Sequence, residues 1–185
     1  MRILLADDHR LMIEGIRNLL AANGIEVLGI ASDGLEAVAM AERLQPDLIL
    51  MDVRMPRCDG LAATRLIKAA QPEQKIVMLT TSSDEKDLFE AVKSGAQGYL
   101  LKSISPEAFL EALRDVEEDI PPFSPAMARL LLKEFADLSK SLDTGNLSPS
   151  PPILPSPYPG LTERQAEVLQ LVASGLTYKE VGVRL

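Results

Sequence analysis

The sequence predicts an α/β fold, a doubly wound sheet of five parallel strands with helices on both faces, followed by a linker helix and a partial all-α segment. Two observations carry this. Short apolar runs of strand length alternate with stretches of helical periodicity, in a βαβα order that right-handed crossovers turn into a parallel sheet. Polar residues also stand at, or just after, the downstream ends of four of those runs: Asp7 and Asp8 after Ile3–Ala6, Asp52 after Leu48–Met51, Thr80 after Ile76–Leu79, and Lys102 after Tyr99–Leu101. In an open parallel sheet the crevice beyond the carboxyl ends of the strands is where ligands and chemistry sit, so these five side chains are expected to converge.

Taken in order, the elements are individually signalled. After the first strand, Met12, Ile16, Leu19 and Leu20 recur at helical spacing, and Asn23-Gly24 closes that helix. A strand follows at about Val27 to Ala31. Asp33-Gly34-Leu35-Glu36 then offers a helix cap with a carboxylate three residues on, a capping-box pattern that opens a helix ending near Gln45-Pro46. The strand before Asp52, a helix from about Gly60, the strand at Ile76, a helix opened by Ser82 and Glu85, and the strand at Tyr99 continue the alternation. Ser105-Pro106 supplies a cap and a proline at the first helical position, and Phe109, Leu113, Val116 and Ile120 form the apolar stripe of the last helix.

Pro121-Pro122 ends this first domain, predicted over residues 1–120. Residues 121–160 read as a linker. It holds a candidate helix from Ser124 to Leu142 and then, over residues 148–159, six prolines and three serines in an extended stretch. The stripe Met127, Leu131, Phe135, Leu138 and Leu142 either packs on its own chain or forms a homodimer seam. In residues 161–185, Thr162 with Gln165 and Thr177 with Glu180 are two capping boxes opening two short helices separated by Gly175. Twenty-five residues of this kind cannot build a core of their own, so they are expected to be an incomplete domain.

Charge separates the parts. The formal net charge is -8, and residues 1–120 carry 13 Lys/Arg against 21 Asp/Glu while residues 121–185 carry 6 of each. The acidic first domain repels nucleic acid, so any DNA contact is expected from the C-terminal part. No apolar stretch approaches the roughly 20 residues of a membrane span, and Met1-Arg2-Ile3 is expected to run directly into a strand, leaving no signal peptide. The single cysteine, Cys58, forms no internal disulfide and fits a cytoplasmic setting as an incidental loop thiol.

The chemistry follows from the residue types. An acidic pair after a strand is commonly a helix cap, and a lone lysine is commonly solvated; five such groups at successive strand ends are a site. Mg²⁺ takes hard oxygen ligands, typically one or two carboxylates with waters and phosphate oxygens. Asp8 and Asp52 are the expected direct ligands, with Asp7 holding a metal-bound water. Three carboxylates do not ionise together cheaply without a cation; one divalent ion and Lys102 balance them. Asp52 is then the natural nucleophile toward an activated phosphorus, with Lys102 neutralising charge and Thr80 donating to the transferred oxygens. His9, the only histidine, is expected merely to start the helix, since oxygen suits Mg²⁺ better than a ring nitrogen.

The ordered set Asp7-Asp8, Asp52-Val53-Arg54-Met55-Pro56, Asp59-Gly60, Thr80 and Gly98-Tyr99-Leu100-Leu101-Lys102 resembles the receiver domain of two-component response regulators over roughly residues 1–120. Leu161-Thr162-Glu163-Arg164-Gln165, Glu167-Val168-Leu169, Gly175-Leu176-Thr177 and Lys179-Glu180 are similar to the opening of a LuxR-type helix-turn-helix, which together points to the NarL/FixJ group. The resemblance implies a flavodoxin-like strand order 2-1-3-4-5, Mg²⁺ as cofactor, and phosphorylation of Asp52 by a sensor histidine kinase. It implies the backbone carbonyl of Arg54 as a further metal ligand. It also implies that Thr80 and Tyr99 move together as a switch, reaching the face of the last two strands and the helix between them.

Three departures from the family pattern stand out. Ser103 follows the lysine where proline is common. Arg54 is long and cationic, and its side chain is expected to lean over the acidic site. Arg57-Cys58 replaces a more usual Gly-Met-like pair, with no function attached. The recognition helix that would enter the major groove is missing after the two C-terminal helices, so this chain is expected not to bind DNA specifically, although its intact parent would. The expectation is therefore a phosphorylation-controlled transcriptional regulator and not an enzyme beyond its own phosphorylation and dephosphorylation. Two rivals are a phosphotransfer or protein-binding receiver module without DNA binding and an aspartate-nucleophile phosphatase; the latter typically has a DxD motif, and this chain has adjacent aspartates.

Overall fold

The computed structural model describes residues 1–81 and 85–122, together with 128, 129, 132, 133, 170, 171 and 173. The chain divides into two compact units, Met1–Pro122 and Phe123–Leu185. The expected opening of a helix at Ser82, the apolar stripe of the linker helix, the Pro/Ser-rich stretch and most of the two C-terminal helices lie outside the described residues; the described residues 128, 129, 132, 133, 170, 171 and 173 are helical.

The first unit alternates throughout: β1 (Arg2–Ala6), α1 (Arg10–Ala22), β2 (Glu26–Ala31), α2 (Gly34–Leu44), β3 (Leu48–Asp52), α3 (Gly60–Ala70), β4 (Lys75–Thr80), α4 (Glu85–Lys93), β5 (Gly98–Leu101) and α5 (Pro106–Glu117). The strands form one parallel sheet in the order β2-β1-β3-β4-β5. The order turns about β1 and β3, which places the switch point of the sheet at their carboxyl ends, where Asp7 and Asp52 emerge. The register pairs Ala6 with Met51, Asp52 with Leu79, and Thr80 with Leu101, so the strand ends stay level and their polar residues share one rim.

The central strands are continuous apolar runs because helices cover both faces. Leu48, Ile49, Leu50 and Met51 are all buried, as are Ile3, Leu4 and Leu5 and the run Ile76–Leu79. One core cluster joins Ile3, Leu5, Leu48, Leu50, Val77 and Leu79 to Ile13 and Leu20 of α1 and to Phe109, Leu113 and Val116 of α5. Burying Phe109 and Leu113 removes apolar surface worth about 1.5–3 kcal/mol per side chain from water, which is what holds α5 on the sheet.

Local structure departs from expectation at three places. In α1 the buried residues are Ile13 and Leu20, with Ile16 and Leu19 packed only partly; Ile13 falls one position after Met12 and takes the inward place assigned to it. Asp33 caps α2 by accepting from the Leu35 and Glu36 amides at 2.8 and 3.0 Å, but Glu36 reaches back to the Ser32 amide and hydroxyl at 2.8 and 2.9 Å. The box is thus shifted one residue upstream. At the end of α5, Ile120 lies beyond the helix in a turn whose Asp119 has φ 61°, so the buried stripe is completed by Ala112 instead. Ser105 caps that helix as expected, accepting from the Ala108 amide at 3.2 Å.

Candidate functional site

Asp7, Asp52 and Lys102 meet at the carboxyl rim of the sheet. The Lys102 ammonium lies 2.7 Å from Asp7 Oδ2 and 2.8 Å from Asp52 Oδ2, and all three side chains are almost wholly buried. Backbone hydrogen bonds set the rim. The Asp7 amide donates to the Ala31 carbonyl at 3.0 Å, and the Lys102 amide donates to the Thr80 carbonyl at 2.7 Å, which ties the ends of β1 to β2 and of β4 to β5. Thr80 is buried at the end of β4, and Tyr99, on β5 opposite Met78, is among the largest fully buried side chains. Asp8 is half exposed at the same rim.

Burial pushes the Asp52 carboxyl above the ordinary carboxylate range; Lys102 and the Arg54 amide, which donates to it, oppose the shift and Asp7 adds to it. Burial opposes the charged form of Lys102, yet its hydrogen bonds to Asp52 and Asp7 hold its ammonium above the usual lysine value. The lysine is therefore firmly charged between two acids, one of which is held poorly solvated.

Glycine at position 60 is a requirement of space. A Cβ there would fall 1.9 Å from the Asp52 carbonyl oxygen and 2.9 Å from Met51 Cγ. The Gly60 amide donates to the Val53 carbonyl at 2.9 Å, and Asp59 caps α3 by accepting from the Ala62 amide at 2.7 Å. The Asp59-Gly60 pair thus lets α3 begin directly against the backbone that carries Asp52.

Two expectations are corrected. His9 does start α1, but without a side-chain cap; its ring Nδ1 instead lies 3.2 Å from Asp7 Oδ1 and 3.0 Å from Asp8 Oδ1, while its amide donates to Asp7 Oδ1 at 2.8 Å. An exposed ring one position past two carboxylates folds back onto them. The Arg54 side chain, expected to lean over the acidic site, instead pairs with α4: its guanidinium is 3.3 Å from Asp87 Oδ2, a contact between opposite charges.

Carboxylate oxygens of Asp7, Asp8 and Asp52 and a ring nitrogen of His9 all lie within 4.8 Å of one another. Hard oxygen donors at this density, two of them nearly buried, fit a divalent cation of the Mg²⁺ kind. Among the described residues no helix is long and apolar enough to cross a membrane.

Comparison with known proteins agrees with this geometry. Residues 3–114 match the family described as the response regulator receiver domain. The chain is 37% identical over 185 residues to the uncharacterized transcriptional regulatory protein YxjL of Bacillus subtilis, covering 100% of this chain and 80% of that one. It is 36% identical over 187 residues to the oxygen regulatory protein NreC of Staphylococcus aureus, covering 100% and 82%. Among solved structures, a LuxR-family two-component response regulator from Aurantimonas sp. superposes with a TM-score of 0.67 at 30% identity, over 72% of this chain and 96% of that one. The isolated REC domain of RcsB from Salmonella enterica, solved with the phosphomimetic BeF3-, gives a TM-score of 0.62 at 25% identity over 70% and 97%. With the sheet order, the acidic rim and these relatives together, the chain belongs to the two-component response regulators of the NarL/FixJ type, which accept a phosphoryl group and regulate transcription.

Proposed function

We propose that Asp52 is the phosphoacceptor, that Lys102 and Thr80 read the phosphoryl group, and that Thr80 and Tyr99 form the switch. In this reading Asp7, Asp8, Asp52 and the backbone carbonyl of Arg54 hold Mg²⁺. The observation that carries it is the Lys102 ammonium set 2.7 and 2.8 Å from Asp7, just past the end of β1, and Asp52, at the end of neighbouring β3. Mg²⁺, when bound, neutralises charge on the transferring phosphoryl oxygens.

The chain's own residues supply the rest. A carboxylate oxygen of Asp52 attacks phosphorus; the bond from phosphorus to a histidine nitrogen of the donor breaks, and that imidazole leaves with the electron pair. Lys102 gives a charge-assisted hydrogen bond to an oxygen of the new acyl phosphate and keeps its contact with Asp7. Thr80 offers its hydroxyl to another phosphoryl oxygen, and Tyr99, one strand over, follows that movement. Phosphorylation shifts an existing equilibrium of receiver states and does not create a new fold.

The donor in this reading is a sensor histidine kinase. Residues 1–120 form the receiver, 121–160 the linker, and 161–185 part of a LuxR-type DNA-binding domain through which the parent regulator contacts DNA. Intact-mass spectrometry after incubation with acetyl phosphate and Mg²⁺ tests the central step. One added phosphoryl group on the wild type and none on Asp52→Asn is the expected outcome; an unmodified wild type refutes it.

A further inference from the structure

The β3–α3 loop, residues 53–59, is fastened at several points, and Arg57 is the unusual one. Its φ of 63° lies in the left-handed region that L side chains avoid and glycine adopts freely. The Cys58 amide donates to the Pro56 carbonyl at 2.7 Å across it, the bond pattern of the strained γ-turn with a positive central φ. An arginine persists in such a conformation only where its surroundings hold it there.

The holding contact is an ion pair between the Arg57 guanidinium and Asp33 Oδ2. Asp33 is fully buried at the start of α2, with its other oxygen occupied by the Leu35 and Glu36 amides. Among the described residues the Arg57 guanidinium is the cation that this buried oxygen faces. A buried carboxylate without one is costly, so the pairing favours the left-handed turn that brings the largely exposed Arg57 side chain to it. Beside it, the Gly34 amide donates to the Cys58 carbonyl at 3.0 Å, and a Cβ at Gly34 would lie 2.6 Å from that carbonyl. The loop is therefore joined to the turn between β2 and α2 by a charge and by the backbone.

We propose that Arg57 is a positioning residue: its tether to Asp33 pins the β3–α3 loop and so fixes the Arg54 backbone against Asp52. This rests on the reading of Asp52 and the Arg54 carbonyl as Mg²⁺ ligands. Arg57 touches neither phosphoryl group nor metal; it acts through the backbone three residues upstream. Supporting residues of this kind tune metal affinity by about tenfold or more.

The test is isothermal titration calorimetry of Mg²⁺ into the full chain, with acetyl phosphate phosphorylation rates measured across Mg²⁺ concentrations. Arg57→Ala is expected to weaken Mg²⁺ binding about tenfold while the phosphorylation rate at saturating Mg²⁺ stays at the wild-type level. Arg57→Lys, which keeps the charge, recovers most of the affinity. Arg57→Gly separates positioning from folding: it relieves the left-handed strain, so its melting temperature in chelator does not fall below that of Arg57→Ala, yet it loses Mg²⁺ affinity equally. Asp33→Asn keeps the helix cap, and its loss should not add to that of Arg57→Ala. Wild-type Mg²⁺ affinity in Arg57→Gly, or additive losses, overturns the tether. A wild type that binds no Mg²⁺, or an Asp52→Asn variant that binds it unchanged, overturns the underlying metal site and the tether with it.

Discussion

Replacing Gly60 with alanine isolates one contact on which the placement of Asp52, the proposed phosphoacceptor, depends. The new Cβ would lie 1.9 Å from the Asp52 carbonyl oxygen, more than 1 Å inside ordinary contact, and 2.9 Å from Met51 Cγ. Neither neighbour can yield easily, because the first is backbone inside the sheet and the second belongs to a fully buried side chain. Relief requires α3 to start further from β3, which stretches the 2.9 Å bond from the Gly60 amide to the Val53 carbonyl. Overpacking of this kind costs about 1–3 kcal/mol, and the weakened hydrogen bond adds about 1 kcal/mol. Alanine recovers at most about 1 kcal/mol as the better helix former. The net is a loss of about 2 kcal/mol, or about 4–8 °C in melting temperature for a chain of this length. Urea denaturation followed by circular dichroism should show a lower midpoint at unchanged slope. Because the displaced group is the backbone of Asp52, phosphorylation by acetyl phosphate should also slow, by on the order of tenfold or more. A Gly60→Ala variant with wild-type midpoint and phosphorylation rate would show that the close approach is not a constraint.

Two carboxylates should respond to pH with opposite signs. Burial raises Asp52 above its ordinary range, so in chelator its ionisation costs stability as pH rises through the interval above about 4. Asp52→Asn should therefore melt higher than wild type at pH 7, with the difference vanishing below that interval; an equal or lower melting point at pH 7 refutes the assignment. The Arg2 side chain's hydrogen bond holds Asp47 below its ordinary range, so its contribution is present at neutral pH and lost as pH falls below about 4. Asp47→Asn should flatten the acid limb of the stability curve. Lys102→Ala leaves Asp7 and Asp52 buried without their cation, which should cost about 3–5 kcal/mol in chelator. Millimolar Mg²⁺ should recover part of it by binding the native state; thermal melts with and without the metal read both effects, and equal losses in the two buffers would refute the compensation.

The path of the chain was legible because its signals are local. Ser105-Pro106, Asp59-Gly60 and Asp33-Gly34 mark helix starts by hydrogen bonds that reach only two or three residues, and the strands announce themselves as apolar runs bounded by turns. The shifted capping box at Glu36 and the inward turn of Ile13 differ by a single position, the scale on which packing against the sheet overrides a periodic count. The acidic rim was legible for a different reason. In a parallel sheet every strand points the same way, so residues that follow successive strands arrive at one edge however far apart they lie in sequence.

The contacts of long polar side chains were not legible in this way. Arg54 could reach several carboxylates, and its choice of Asp87 depended on where α4 lies; His9 turning back onto Asp7 and Asp8, and Arg57 finding Asp33, are choices of the same kind. The sequence by itself determined the alternating elements, the parallel sheet, the acidic rim at its carboxyl edge and the response-regulator family. Tertiary structure alone decided that Lys102 stands between Asp7 and Asp52, that Gly60 must lack a Cβ, and that a left-handed Arg57 is held by a buried carboxylate. Strand direction and capping are properties of short segments, whereas the pairing of flexible charges and the clearance between backbones depend on distances that exist only once the sheet has assembled.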